Sequence, residues 1–94
     1  MKLGLHLGYW QKHPTDRFIE LAQQAERLGF DSVYTAEAYG SDCFTPLAAI
    51  ATQTSKIRLC TGVMQLSART PACAATTAMT LDHLSNGRLC LGVG

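Results

Sequence analysis

No Cys-x-x-Cys pair, no block of like charge and no long apolar run occurs in these 94 residues. Each absence excludes something. Cys43, Cys60, Cys73 and Cys90 are too widely spaced for a zinc ribbon or a thioredoxin-type motif, so reduced, mostly buried thiols are expected and no metal site. Cys60 and Cys90 fall within strand patterns, where cysteine behaves as a small hydrophobe. Charged residues make up only 16% of the chain and the formal net charge is +1, so no strong field selects nucleic acid or an anionic membrane as a partner. Apolar stretches fall far short of the roughly 20 residues of a membrane span, and Met1-Lys2 leads directly into a strand pattern rather than a signal-peptide core. A cytoplasmic location is the expectation.

What is present is alternation. Leu3-Gly4-Leu5-His6-Leu7-Gly8 has the period of a strand, and Phe18, Leu21, Ala22, Ala25 and Leu28 then return at helical spacing. Pro14-Thr15-Asp16 supplies helix-starting residues and Gly29 a left-handed cap, which predicts a helix over residues 16–28. A short β-prone run covers residues 32–36. Thr45-Pro46 reads as an N-cap followed by proline at the first helical position, opening a helix through about Thr54. Residues 57–63 form a third strand pattern, Thr70-Pro71 opens a third helix ending near Leu84 before Asn86-Gly87, and residues 89–93 form a fourth strand. Strands alternating with helices, with no hairpin turns, predict an α/β fold with a parallel βαβαβαβ sheet. Crossovers of a dozen or more residues leave room for about four strands. A closed eight-stranded barrel takes roughly 250 residues, so residues 1–94 are expected to be an incomplete, N-terminal half-barrel segment.

In parallel α/β folds ligands gather at the carboxyl ends of the strands. That rule selects Tyr9 and Trp10 after the first strand, Glu37 after the second, residues 62–69 after the third and Gly92-x-Gly94 after the fourth. Glu37 is placed either to orient or protonate a ligand, or to bond a neighbouring backbone amide or helix start. His6 shares a strand face with Gly4 and Gly8 and points toward the barrel interior, as a ligand group or a satisfied core histidine. Tyr9 and Trp10 either wall an aromatic cofactor or cap the core. Arg69 either meets a phosphate or carboxylate or is solvated. Gly92-x-Gly94 is a weak hint of a phosphate-cradling loop.

Several whole strings resemble the luciferase-like superfamily: Leu5-His6-Leu7-Gly8-Tyr9-Trp10, Thr35-Ala36-Glu37-Ala38-Tyr39-Gly40-Ser41-Asp42, and Gly62-Val63 followed by Arg69-Thr70-Pro71. The most specific is Thr80-Leu81-Asp82-His83-Leu84-Ser85-Asn86-Gly87-Arg88 leading into Leu91-Gly92-Val93-Gly94. The resemblance implies a parallel (β/α)8 TIM barrel with the tricyclic ring of a flavin or deazaflavin lying at the strand ends. It is strongest toward the branch using coenzyme F420, with FMN as the alternative cofactor. It implies Glu37 as a catalytic residue, and His6, Ala36, Glu37, Gly62, Val63 and Arg69 as cofactor-binding positions. It also implies a non-proline cis peptide at Gly62-Val63. Two departures stand out: luciferase-like members tend to carry histidine where this chain has Ala38, and many deazaflavin enzymes carry Asp-His nearby.

Three functional expectations follow. The first is hydride transfer between a small organic substrate and F420, with FMN-dependent monooxygenation as its variant. The second is a non-catalytic half-barrel whose exposed sheet edge makes it a homo-oligomer. The third, a dinucleotide-binding Rossmann segment, ranks last, because Tyr9-Trp10 stands where a glycine-rich turn is required.

Overall fold

The computed structural model describes residues 1–94. The elements run β1 (Gly4–His6), α1 (Phe18–Arg27), β2 (Ser32–Thr35), α2 (Phe44–Ala51), β3 (Arg58–Thr61), a 3-10 turn at Leu66–Ala68, α3 (Pro71–Leu84) and β4 (Leu89–Cys90). All neighbouring strands pair in parallel, in the order β1-β2-β3-β4. That sequential order is the one a barrel uses. A doubly wound sheet reverses direction and puts its first strand in the interior, whereas here β1 lies at an edge, which removes the Rossmann alternative.

Side chains alternate across the sheet. Leu7, Val33 and Leu59 are buried against Ala22, Ala25, Leu47, Ile50 and Leu81 of the helices, in one continuous core. The residues between them form a different row: His6 is level with Tyr34, Tyr34 with Cys60, and Cys60 with Cys90. This row faces away from the helices, on the side that a barrel turns inward. Cys43 and Cys60 are buried as expected, but Cys73 and Cys90 are exposed. Cys73 lies on the outer surface of α3, and Cys90 stands on the helix-free face of an edge strand.

The helix starts show which cap prevailed. α1 opens at Phe18, two residues later than the spacing predicts, because Arg17 takes φ 55°, a left-handed conformation that cannot continue a right-handed helix. Thr15 is used elsewhere, its hydroxyl donating to the Leu7 carbonyl at 2.7 Å. α2 opens at Phe44 rather than after Thr45, since Asp42 Oδ2 accepts from the amides of Phe44 at 3.0 Å and Thr45 at 2.9 Å. Asp42→Ala is therefore expected to cost about 1 kcal/mol, read as a lower denaturation midpoint at unchanged m-value. Thr70 caps α3 as predicted, accepting from Cys73 N at 3.2 Å ahead of Pro71. Gly29 closes α1 at φ 82°.

The string of residues 80–88 is a structural lock. Ser85 Oγ accepts from the Arg88 amide and Asp82 Oδ1 from the Leu89 amide, so the end of α3 sets the start of β4. The Arg88 guanidinium donates to carbonyls of Ala51, Thr54, Ile57 and Ser85 and to the Thr54 hydroxyl. Every donor of its fork is used, and it joins the end of α2, the start of β3 and the end of α3. Glu26 makes the matching anchor from α1. Its carboxylate accepts from the amides of Ser55, Lys56 and Ile57. Burial alone would push its pKa up, but these amides outweigh that and hold it below the usual value. No helix is long and apolar enough to cross a membrane.

Candidate functional site

The strand ends come together as the alternation requires, and the backbone keeps pairing beyond them. Gly62 N donates to Thr35 O at 2.7 Å, Glu37 N to Val63 O at 3.3 Å, Met64 N to Gly92 O at 2.8 Å and Gly94 N to Met64 O at 2.9 Å. The Gly62–Val63 peptide is cis, as the resemblance implied. Three successive loops thus form one rim, with Gly62 and Val63 at its centre.

Glu37 and Arg69, 32 residues apart, meet in a two-pronged ion pair, Nη1 donating to Oε2 at 2.9 Å and Nη2 to Oε1. Gln65 N donates to Oε2 at 2.7 Å and Cys43 N to Oε1 at 3.3 Å. Glu37 is 9% exposed and binds four donors from three segments: the start of α2, the loop after β3 and the approach to α3. The Arg69 bonds come first among the causes that hold its carboxyl well below the ordinary 4.5, at about 2. At neutral pH this carboxylate has no proton to give. Arg69 is correspondingly occupied, its guanidinium lying 5.2 Å from the centre of the Phe44 ring. It meets a carboxylate, as one sequence alternative had it, and that carboxylate belongs to the chain. Beside them, burial pushes the Cys43 thiol up to about 12 with the Glu37 charge adding to it, so this cysteine is not a nucleophile.

The remaining expected positions lie around this clamp. Ala36 is buried, 3% exposed, so its side chain offers a ligand almost no surface. Val63 is 43% exposed and its isopropyl group stands on the rim. A Cβ on Gly92 would fall onto the Thr61 carbonyl, whereas one on Gly94 would meet only the Val63 side chain, 2.9 Å from Cγ2. Close backbone packing therefore accounts for Gly92. His6 is on the helix-free face, its Nδ1 accepting from Gly8 N at 2.9 Å. A backbone amide can only donate, so in the neutral ring Nε2 carries the proton and presents it outward. Tyr9 lies next to it, ring centres 5.9 Å apart. Trp10 packs edge-on against Phe18 of α1 at 5.0 Å, the core-capping alternative.

A cavity of about 530 Å³ opens between the loops after β1 and β2, lined by Tyr9, Trp10, Glu37, Ala38 and Tyr39 among others. A larger depression of about 650 Å³ lies between α1 and α2; it is mostly polar and contains none of the rim groups. Two residues escaped sequence reasoning. Tyr34 lies between His6 and Cys60 with its ring edge 3.1 Å from the Cβ position of Gly62, and strand alternation was the signal that would have found it. Gln65 holds Glu37 through its backbone amide, for which sequence carries no signal.

On the helix-free side of the rim lie Gly62, the half-exposed Val63 side chain, the His6 ring and, beside it, Tyr9, a set of groups that a flat, largely apolar ring would fit. The sequence profile of the family described as luciferase-like monooxygenase matches residues 2–94. Over all 94 residues the chain is 57% identical to a Mycobacterium tuberculosis protein provisionally named a coenzyme F420-dependent oxidoreductase, spanning 27% of that protein's length. The coenzyme F420-dependent tetrahydromethanopterin reductase of Methanopyrus kandleri superposes with a TM-score of 0.86 at 28% identity, over 99% of this chain and 26% of the reductase. The FMN-bound oxygenating component of 3,6-diketocamphane monooxygenase from Pseudomonas putida superposes with a TM-score of 0.87 at 28% identity, over 100% of this chain and 29% of the oxygenase. The chain spans between a quarter and a third of the length of these relatives.

Proposed function

The chain belongs to the luciferase-like monooxygenase family, and from that premise we propose that it forms the front wall of an oxidoreductase barrel in which hydride passes between a small organic substrate and coenzyme F420. The observation that carries the choice of cofactor is the 57% identity, across the whole chain, to a relative named for F420. Bound F420 would supply a deazaflavin ring that accepts or gives a hydride. The chain's own residues bind and orient. Val63 and Gly62 support one face of the ring, His6 Nε2–H donates to a polar edge, and Tyr9 limits access of water from the side. Glu37 has a positioning role in this reading: ionised and fully bonded, it fixes the loops on which the ring rests while the proton donor comes from elsewhere in the barrel. Arg69 reaches the ligand only through Glu37.

FMN-dependent monooxygenation is the second reading, favoured by the likeness to an FMN-bound oxygenase. Adding F420 and FMN separately to the complete protein and following ligand fluorescence separates the two. Binding of F420 at least tenfold tighter than FMN, with substrate-dependent loss of its oxidised absorption, is the expected result. Tighter FMN binding with oxygen consumption transfers the assignment to the monooxygenase. Binding of neither defeats both readings.

A further inference from the structure

The helix-free face of the sheet carries a feature that the cofactor reading does not use. Cys60 and Cys90 are register partners on the adjacent parallel strands β3 and β4, and both are free thiols. Their neighbours in sequence, Leu59 and Leu89, pack into the helical core, so alternation sends both thiols to the same side. Cys60 is 1% exposed and Cys90 is open.

Two chemistries could join such thiols, and spacing decides between them. Side chains on paired parallel strands leave the sheet side by side, so their Cβ atoms keep about the 4.8 Å of the strand spacing. A disulfide needs Cβ atoms roughly 3.5–4.5 Å apart, so forming one requires pinching a sheet that the flanking leucines hold in register. Two metal–thiolate bonds of about 2.3 Å set in line span nearly the strand spacing without such movement. Within residues 1–94 no third His, Cys, Asp or Glu side chain joins the two thiols, so the pair itself supplies two ligands. Thiolate ligands select soft ions.

We propose that Cys60 and Cys90 together form a two-coordinate site for a soft monovalent cation such as copper(I) on the inner floor of the barrel. On binding, both thiols release their protons to solvent and two metal–sulfur bonds form; neither the ion nor the sulfurs change oxidation state. The site lies on the face that carries His6 and Tyr34, below the rim, and stands whether or not the cofactor is F420.

The test uses the reduced protein under anaerobic conditions, with copper(I) delivered from a chromogenic chelator. One equivalent per chain is expected to bind, with a thiolate-to-metal absorption band in the ultraviolet and loss of the Cys90 thiol to a thiol reagent. Cys90→Ser, a change of one atom, is expected to lower affinity at least a hundredfold while the circular dichroism spectrum stays unchanged. Cys73→Ser, on α3, is expected to change affinity less than twofold. Retention of full affinity in Cys90→Ser overturns the proposal. So does ready formation of a Cys60–Cys90 disulfide under a mild dithiol oxidant, since that requires the thiols to be closer than an in-line ion allows. Cofactor binding is followed in the same preparation, so failure of the cofactor reading and failure of this one are seen separately.

Discussion

Replacing Arg69 by methionine is expected to lower stability by about 3–5 kcal/mol, because it leaves the Glu37 carboxylate buried without a counter-charge. Glu37 is 9% exposed, and the amides of Gln65 and Cys43 would be its only remaining donors. Glu37→Met alone is expected to cost a comparable amount by stranding the guanidinium. The double variant Glu37→Met/Arg69→Met should cost less than the two singles together, since it removes both charges and keeps their volume. Chemical denaturation of all four proteins measures this coupling, and strict additivity would show that the pair is energetically idle. The same pair sets an acid limb. The folded-state pKa of Glu37, about 2, lies below the ordinary 4.5. Its contribution is therefore present above pH 4.5 and is lost as pH falls from there toward 2. The wild-type protein should lose about 2–3 kcal/mol more across that window than the double variant; parallel stability curves would contradict the assignment.

The second large effect is expected at Gly40. A Cβ there would fall onto the Trp10 carbonyl, where the loop after β2 crosses the backbone of the loop after β1. Both atoms belong to backbone, so no side chain can swing away, and Gly40→Ala must push the two loops apart. Those loops bound the cavity of about 530 Å³. Cofactor affinity of the complete protein is expected to fall at least tenfold, while the melting temperature drops by only a few degrees because the helical core is untouched. The comparison is Gly87→Ala: its strain comes from φ 80° and no atom lies within 4 Å of its Cβ position. It should lower stability without changing cofactor affinity.

The order of elements was legible because each segment carries its own period. The strand patterns over residues 32–36 and 57–63 matched β2 and β3, and Gly29 and Thr70 marked helix ends through local backbone chemistry. The starts of α1 and α2 were less legible. Asp42 and Thr45 are both good caps, and the choice depends on which side chain the incoming loop aims at the free amides. The thiols show the same limit: Cys60 and Cys90 have the same strand context, yet within residues 1–94 Cys60 is buried and Cys90 is exposed. At the site, spacing made Glu37 conspicuous but could not supply its partner. Arg69 lies 32 residues away, brought in only when the loop after β3 folds back over α2. The alternative in which Glu37 bonds a helix start is the one its geometry matches, through Cys43 N at 3.3 Å. His6 needed the fold for a different reason, since the proton on Nε2 follows from the amide of Gly8, which turns back at φ 79°.

The central claim is that a flat redox cofactor rests on the rim built from the ends of β1, β2 and β3. The most direct measurement is backbone amide NMR of the isotopically labelled protein during titration with F420. The largest shifts are expected at Gly8, Glu37, Gly62 and Val63, saturating together with the change in ligand fluorescence, with little change in the middle of α1 or α3. Saturable binding whose shifts cluster on the helices, or between α1 and α2, would contradict it.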